Sequence, residues 1–190
     1  MANLSFTLFD KPGADNTRST LELAKNNADR LGLKKIIVAS TSGTTIKAAT
    51  DVFDPKNYEI ICVTHSYGWN ENTYQEFPDP LRTELEKMGV KFVSGVLAFS
   101  GVDSALLRKF QSFDFVSMFA RLVRITMCDG LKVAMEIALM TCDAGFTKIG
   151  EDVIAVAGTG HGADTCCLIR SSSTRMFDLL RVKAILAKPE

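Results

Sequence analysis

The chain reads Ile36-Ile37-Val38-Ala39-Ser40-Thr41-Ser42-Gly43-Thr44-Thr45 at its most informative point, and Ile46-Lys47-Ala48-Ala49 follows directly. This pattern predicts a buried strand, then a hydroxyl-rich glycine turn, then the first turns of a helix. Such a connection directs free backbone N–H groups and the positive end of the helix dipole toward one place. These donors suit a phosphate or a carboxylate.

The side chains of this turn favour an anion site over a simple helix cap. The turn offers four hydroxyl groups, on Ser40, Ser42, Thr44 and Thr45, whereas one cap needs only one hydroxyl. Gly43 permits close approach of the backbone or a positive φ angle. The alternative is an ordinary capped helix after a turn, because serine and threonine are preferred caps.

Length and composition indicate one α/β domain that spans residues 1–190. The chain is 46% hydrophobic, which is enough to bury a full core. Its 22 basic and 22 acidic residues cancel, so no nucleic acid and no membrane is expected as a partner. Low net charge also makes self-association easy, which is a weak indication of a homo-oligomer. We find no signal peptide and no apolar run of the ~20 residues that cross a bilayer, and we expect a cytoplasmic protein.

The five cysteines are expected to be reduced, small apolar residues. The count is odd, and the sequence contains no Cys-x-x-Cys pair. The five residues are Cys62, Cys128, Cys142, Cys166 and Cys167. The two histidines lie far apart in the sequence. The pattern therefore predicts neither disulfides nor a metal site.

Alternation of strands and helices predicts a three-layer α/β/α sandwich with a mostly parallel mixed sheet. Gly32 and Pro55 mark the ends of the first two helical segments. The predicted strands are 4–9, 35–39, 58–63, 90–93, 152–157, 165–170 and 182–187. The later predicted helices are 80–87, one that contains Leu106, 115–126, and a largely buried one at 129–144.

A glycine-rich loop, Gly158-Thr159-Gly160-His161-Gly162, lies between two predicted strands. A dinucleotide fingerprint needs a helix directly after its glycines, and here a strand follows, so the loop predicts a strand–turn–strand connection. Three glycines in five residues permit close backbone approach to a ligand, and a plain turn is the alternative.

Aromatic residues follow the third predicted strand, in the loop that begins at Thr64. Because ligands of open α/β sheets bind at the carboxyl edge, Tyr67 and Trp69 are candidates for stacking on a planar ring. His65 is a candidate hydrogen-bond partner for a phosphate. A surface loop that tucks its aromatic side chains onto the protein is the alternative.

Glu136 lies in the middle of an apolar helix, one turn after Lys132. A carboxylate that faces inward needs a partner or a shifted pKa, and would then be a candidate for ligand contact or acid–base chemistry. The alternative is an exposed ion pair with Lys132. Ser100 and Gly101 belong to a predicted turn and cap before the helix that contains Leu106.

The segment from Ile36 to His65 resembles the C-terminal α/β domain of pyruvate kinase. The match consists of the turn, the helix, a proline and a strand that ends in Val63-Thr64. The resemblance implies a phosphate-binding loop, because in some pyruvate kinases this turn holds the phosphate of a sugar-phosphate activator. Kinase activity is not expected, since a catalytic barrel of ~250 residues does not fit into this length.

Over its whole length the chain resembles stand-alone, uncharacterised pyruvate-kinase-alpha/beta-domain-like proteins. The matching segments are Lys11-Pro12-Gly13, Asn16-Thr17, Ser40–Thr45, Ser100-Gly101, Gly130–Val133, Glu136-Ile137, Asp143–Gly145, Gly162–Thr165 and Phe177-Asp178. This resemblance implies flavin mononucleotide (FMN) as cofactor, without implying a reaction. The chain departs from the family pattern at 171–174, where Ser-Ser-Ser-Thr replaces an expected Pro-Ala-His-like stretch.

Three functions follow as hypotheses. The first is an FMN-binding flavoprotein, such as a small oxidoreductase. The second is a non-catalytic regulatory module that senses a small phosphorylated ligand. The third is an interaction protein in which the Ser40–Thr45 turn has only a structural role. The predicted cofactor-binding residues are Ser40, Ser42, Gly43, Thr44, Thr45, Thr64, His65, Trp69, Ser100, Gly101, Glu136, Gly158, Gly160, His161 and Gly162.

Overall fold

A seven-stranded sheet organises the computed structural model, which describes residues 4–72, 74–111 and 114–190. The strands lie in the order β1-β7-β6-β5-β2-β3-β4 across the sheet. Their bounds are β1 (Thr7–Phe9), β2 (Lys35–Ala39), β3 (Glu59–Thr64), β4 (Lys91–Ser94), β5 (Asp152–Ala157), β6 (Thr165–Arg170) and β7 (Arg181–Pro189).

Strand β6 alone runs against its neighbours. It pairs antiparallel with β5 and with β7, whereas the β1–β7, β2–β3, β2–β5 and β3–β4 pairs are parallel. The predicted mostly parallel mixed sheet is therefore confirmed. The glycine-rich loop connects β5 to β6 as a strand–turn–strand unit, as predicted, and does not lead into a helix.

The described residues contain six α-helices, five of which pack on the two faces of the sheet. They are α1 (Thr17–Leu31), α2 (Thr44–Val52), α3 (Asp79–Lys87), α4 (Val102–Phe110), α5 (Phe115–Thr126) and α6 (Asp129–Asp143), with short 3-10 helices at Ala14–Asn16 and Thr174–Leu179. One apolar cluster holds residues of α1, α2 and α3, and the other holds residues of α5 and α6. Neighbouring residues of β2 alternate between them: Ile36 joins the first cluster and Ile37 the second. The helices and sheet thus form the predicted three layers.

Helix α6 is buried along most of its length, as its apolar sequence predicts. It packs against β5 and β6, and Gly130 lies so near β6 that an added Cβ would stand 2.1 Å from Thr165 Oγ1. Because α6 is followed by β5, its N-terminal half lies at the carboxyl edge of the parallel strands. None of the described helices is long and apolar enough to cross a bilayer.

The chain leaves β2 and β5 in opposite directions, although these strands are neighbours in the sheet. Strand β2 continues through α2 to β3 on one side, and β5 continues through the glycine-rich loop to β6 on the other. In open α/β sheets such a divergence opens a crevice beyond the carboxyl ends of the strands, where ligands bind. The topology therefore predicts a binding site at the turns after Ala39 and Ala157.

Candidate functional site

A cavity of about 390 Å³ occupies this crevice. Its walls come from the turn after β2, the loop after β3, the face of α6 and the loop after β5. The structure brings these twelve predicted site residues together around it: Ser40, Ser42, Thr45, Thr64, His65, Trp69, Ser100, Glu136, Gly158, Gly160, His161 and Gly162. The turn after β2 and the Thr64–His65 pair end neighbouring strands, since β2 pairs with β3.

Three predicted residues lie outside the cavity wall. Gly43 and Thr44 border a shallow groove on the outer side of α2. Gly101 instead starts α4, where its N–H donates to Asp103 Oδ1 at 2.9 Å. Gly43 has the expected positive φ of 92°, but an added Cβ would stand 2.4 Å from Leu81 Cδ2. The positive φ is thus confirmed, and the lack of a side chain makes room for Leu81.

The turn after β2 divides its hydroxyl groups between structure and the cavity. Ser40 is buried, and its Oγ accepts the Ile46 N–H at 3.2 Å, inside the first turn of α2. Ser42 Oγ lies at the surface, 3.3 Å from Thr44 Oγ1. The capped-helix alternative therefore describes Ser40. Ser40, Ser42 and Thr45 all line the cavity, and the anion site stays a prediction.

Lys132 and Glu136 form a buried ion pair in the cavity wall. Lys132 Nζ lies 2.6 Å from Glu136 Oε2, and each side chain is only 3% exposed. The other carboxylate oxygen, Oε1, accepts the Phe99 N–H at 2.8 Å. The alternative of an exposed ion pair is thus wrong, because α6 turns this face toward the crevice rather than toward solvent.

Burial lowers the pKa of Lys132 below its ordinary value of 10.5, although the neighbouring Glu136 carboxylate opposes that shift. Desolvation of the ammonium group outweighs the attraction of its partner. The cavity therefore contains an ammonium group that gains from any additional negative charge placed beside it.

His65 is held at the cavity rim by two neighbours. Its Nδ1 lies 2.7 Å from Glu76 Oε2, and the Trp69 ring packs against it, tilted by 37°, with ring centroids 4.5 Å apart. A carboxylate at Nδ1 favours the proton on that nitrogen and leaves Nε2 for another partner. Tyr67 points elsewhere and packs on Tyr74, so Trp69 is the aromatic residue of this loop that reaches the cavity.

Two glycines of the glycine-rich loop pack tightly against neighbouring backbone atoms. A Cβ at Gly158 would stand 2.6 Å from Gly162 O, and one at Gly162 would stand 2.5 Å from Ala14 Cα. Asp164, fully buried, accepts N–H groups from Gly13 and Thr159. Only Gly160, with a φ of 71° and open space beyond it, is free of such contacts among the loop's glycines. Packing within the protein therefore explains why positions 158 and 162 lack side chains, and ligand contact at this loop stays a prediction.

Sequence reasoning missed two charged residues of the cavity. Arg124, on α5, forms an ion pair with Asp129, on α6, and both line the crevice. The apolar wall, formed by Leu97, Val133 and Ile137, was also missed. The signal for part of this set was available, since 129, 132, 133, 136 and 137 share one face of a helix.

A family model for the pyruvate kinase alpha/beta domain matches residues 18–169 of the chain. The chain belongs to the pyruvate kinase alpha/beta domain family. The matched span contains every residue of the cavity wall, from Ala39 to Gly162. Strands β1 and β7, which extend the sheet at one side, lie outside the matched span.

The structure of this member of the pyruvate kinase alpha/beta domain family also shows the surroundings of the cysteines and of the segment at 171–174. All five cysteines are free thiols, and burial raises the pKa of Cys62, Cys166 and Cys167. The unusual segment at 171–174 has a structural role: Ser171 Oγ lies 3.1 Å from the Ala138 carbonyl oxygen and 2.8 Å from Thr147 Oγ1. Within the described ranges, no group of three His, Cys, Asp or Glu side chains is arranged to hold a metal ion.

Proposed function

We propose that the crevice binds flavin mononucleotide and that the protein is a flavoprotein of undefined reaction, a small flavin-dependent oxidoreductase being one such activity. The observation that carries this proposal is the convergence of a helix N-terminus, a buried ammonium group and an exposed indole ring on one cavity of about 390 Å³. A cavity of this size and mixed polarity is typical of cofactor sites. FMN, when bound, supplies transfer of a hydride or of single electrons.

The phosphate group of FMN fits the turn after β2. The first N–H groups of α2 have no partner within the helix. The Ile46 N–H bonds Ser40 Oγ, which leaves the N–H groups of Thr44 and Thr45 for the phosphate. The hydroxyl groups of Ser42 and Thr45 stand at the same end of the helix and line the cavity. Backbone donors and the helix dipole therefore carry most of the anion binding.

The isoalloxazine ring fits between the aromatic rim and the apolar wall. Trp69 packs on His65 but is still 40% exposed, so part of its indole remains for contact with a planar ring. Leu97, Val133 and Ile137 offer apolar contact inside the cavity. His65, oriented by Glu76, is placed to hydrogen-bond with a ring heteroatom or a phosphate oxygen.

The charges of the cavity wall suit a ligand of modest negative charge. Lys132 and Arg124 are each already paired with a carboxylate, Glu136 and Asp129. These four groups sum to zero, so no strong positive field surrounds the cavity. A mononucleotide phosphate bound by N–H groups fits this balance better than a polyphosphate does.

The test is an absorbance spectrum of freshly purified protein in the visible range, repeated on the supernatant after heat denaturation. We expect flavin bands that stay with the native protein and appear in the supernatant, in a ratio of one flavin per chain. Protein that is colourless and does not bind added FMN contradicts the proposal.

A pair of variants tests the ring position. Trp69→Ala removes the stacking surface and is expected to weaken FMN binding by about tenfold, the value of one aromatic contact of about 1.4 kcal/mol. Tyr67→Ala is the matched control, since Tyr67 lies in the same loop, is 47% exposed and packs on Tyr74. Equal affinities of the two variants place the ring elsewhere.

A second candidate function is a regulatory module that senses a phosphorylated metabolite. The hydroxyl groups of Ser42, Thr45 and Ser100 in the cavity wall favour it, because they suit the hydroxyl groups of a sugar. It predicts a rise of roughly 5 to 10 °C in Tm at sugar-phosphate concentrations ~100-fold above Kd, and none with FMN. It also predicts that Trp69→Ala leaves that rise unchanged, since a sugar phosphate needs no stacking surface.

A further inference from the structure

Lys132 combines burial with a place in the wall of the crevice. Of the lysines in the parts of the chain that the structure describes, it alone is buried, and it lines the cavity of about 390 Å³. It lies in the first half of α6, on the face that also bears Val133, Glu136 and Ile137. Because burial of an ammonium group is costly, the pairing with Glu136 explains how Lys132 is tolerated, but not why it borders a cavity.

The Lys132 ammonium group has more hydrogen-bond donors than the protein uses. Its Nζ carries three N–H groups, and within the described ranges its hydrogen-bond partner is Glu136 Oε2 alone, at 2.6 Å. Lys35 differs, since its Nζ lies 2.6 Å from Phe146 O and 2.9 Å from Glu151 Oε1. Buried donors without partners are costly. The unused N–H groups of Lys132 therefore indicate a ligand that contacts Nζ from the cavity.

The surroundings of Lys132 favour the neutral form of its amine, which is the nucleophilic form. Burial lowers the pKa of Lys132 below 10.5, and lysines desolvated in this way are the ones that form covalent bonds with carbonyl compounds. Glu136 Oε2 is close enough to take up the proton that the ammonium group loses. The Phe99 N–H fixes the other carboxylate oxygen at 2.8 Å. The amine thus has a base held in place beside it.

The charge and the walls of the crevice suit a carbonyl compound. The Lys132–Glu136 pair is neutral as a whole, and the carbonyl group of an aldehyde or ketone adds no charge to it. Leu97, Val133 and Ile137 form an apolar wall of the same cavity. Because imine formation releases water, an apolar wall that keeps water out favours the imine over its hydrolysis.

We propose that Lys132 forms a reversible imine with an aldehyde or ketone that enters the crevice. Glu136 takes one proton from the ammonium group, and the amine nitrogen then attacks the carbonyl carbon. The carbonyl oxygen takes up two of the three ammonium protons and leaves as water, while a C=N double bond replaces the C=O bond. An ammonium group and a carbonyl group thus become a protonated imine and one water molecule. The product keeps one positive charge beside Glu136, so the ion pair persists.

The test is reductive trapping on the purified full-length protein with glyoxylate, a small aldehyde. Cyanoborohydride reduces the imine to a stable carboxymethyl group on the lysine, and peptide mass spectrometry measures the labelled fraction of each lysine. We expect at least ~10-fold more label on Lys132 than on Lys35, because an aldehyde held in the crevice reacts at a high effective concentration. Exposure alone predicts the opposite order, since the two side chains are 3% and 16% exposed.

Lys132→Arg is the matched variant, because arginine keeps a positive charge beside Glu136 while its guanidinium group forms no such imine. We expect this variant to lose the most strongly labelled site and to label Lys35 as the wild type does. Circular dichroism checks that it is folded.

Two outcomes overturn the proposal: label on Lys132 that does not exceed the label on Lys35 in the native wild type, or the same ratio of the two labels in urea-unfolded protein. Both are measured on the wild type, so they do not depend on whether Lys132→Arg folds. The inference goes beyond flavin binding, and its test uses no flavin. Protein that binds FMN but shows no preferential label on Lys132 contradicts the imine and leaves the flavin proposal in place.

Discussion

Gly43 and Ser42 are adjacent in the sequence but have different roles. Gly43 combines a φ of 92° with contact to Leu81, so both its backbone and its space exclude a side chain. Ser42 Oγ is exposed and lines the cavity, and within the described residues its partner is Thr44 Oγ1. The two positions therefore separate the stability of the turn from its affinity for a ligand.

Gly43→Val is expected to lower the free energy of unfolding by more than about 2 kcal/mol, because a β-branched side chain is strained at positive φ and collides with Leu81. Ser42→Ala is expected to change it by less than about 0.5 kcal/mol and to weaken ligand binding. Urea unfolding of both variants, together with titration of Ser42→Ala with FMN, measures these effects. Unchanged affinity of Ser42→Ala removes this hydroxyl from the phosphate site.

The buried Lys132–Glu136 pair gives a second prediction about single residues. Glu136→Gln leaves the Lys132 ammonium buried without a counter-charge and is expected to cost about 3–5 kcal/mol of unfolding free energy. The double variant Lys132→Met with Glu136→Leu removes both charges and is expected to be at least as stable as the wild type. Thermal unfolding of the wild type, Glu136→Gln and the double variant measures these differences in stability. A double variant as unstable as Glu136→Gln shows that the pair itself stabilises the fold.

At the scale of elements, Asp164 ties three separate parts of the chain together. Its Oδ2 accepts the Gly13 N–H at 2.9 Å and the Thr159 N–H at 3.2 Å, and its Oδ1 accepts the Thr165 hydroxyl at 2.8 Å. The first bond spans 151 positions of sequence. The residue therefore holds the approach to α1 against the loop and strand that follow β5.

Asp164→Ala is expected to destabilise the protein by about 2 kcal/mol, because it leaves the partly buried N–H groups of Gly13 and Thr159 without their partner. Asp114→Ala is the control, since Asp114 also accepts two N–H groups and one hydroxyl but is partly exposed at the start of α5. The control is expected to lose about 1 kcal/mol. Equal losses in urea unfolding contradict the role assigned to Asp164.

The elements that could be predicted from the sequence are those with strong local signals. The bounds of β2 and β5 agree with the prediction, because continuous apolar runs followed by turns mark both of them. Strand β1 was predicted as 4–9 but spans only Thr7–Phe9, because its pairing with β7 covers only these three residues. The last strand was predicted as 182–187 but spans Arg181–Pro189, and Pro189 pairs with Phe9.

The candidate site was predictable where it follows strands, and less so elsewhere. The turn after β2 and the loop after β3 lie at the carboxyl edge by the rule for parallel sheets. Arg124 was missed because it reaches the cavity only through the path of α5 across the sheet, which no local pattern describes. The inward direction of Glu136 depends on how α6 rotates against β5, and tertiary packing sets that rotation.

At the scale of the whole molecule, Lys132 links global stability to pH. Its pKa in the folded protein lies below 10.5 because of burial, whereas in the unfolded chain it is close to the ordinary value. Between these two values the unfolded chain binds more protons, so stability rises with pH. Below the folded pKa the cost of burying the charge is fully present, and above 10.5 it is absent.

We therefore compare the wild type with the Lys132→Met, Glu136→Leu double variant. As pH rises toward 10.5, the unfolding free energy of the wild type is expected to increase relative to that of the double variant. The double variant lacks both groups, so the comparison cancels the titration of the remaining residues. Urea unfolding at a series of alkaline pH values measures this difference. A difference that is constant with pH contradicts the lowered pKa.

The two outermost strands have a consequence for behaviour at high concentration. Strand β1 has three residues and β4 has four, and Lys91 adds a charge to β4. A foreign strand that approaches either border finds only a short row of unpaired backbone groups, so it forms few cross-strand hydrogen bonds. The sheet thus resists growth into fibrils through its own borders.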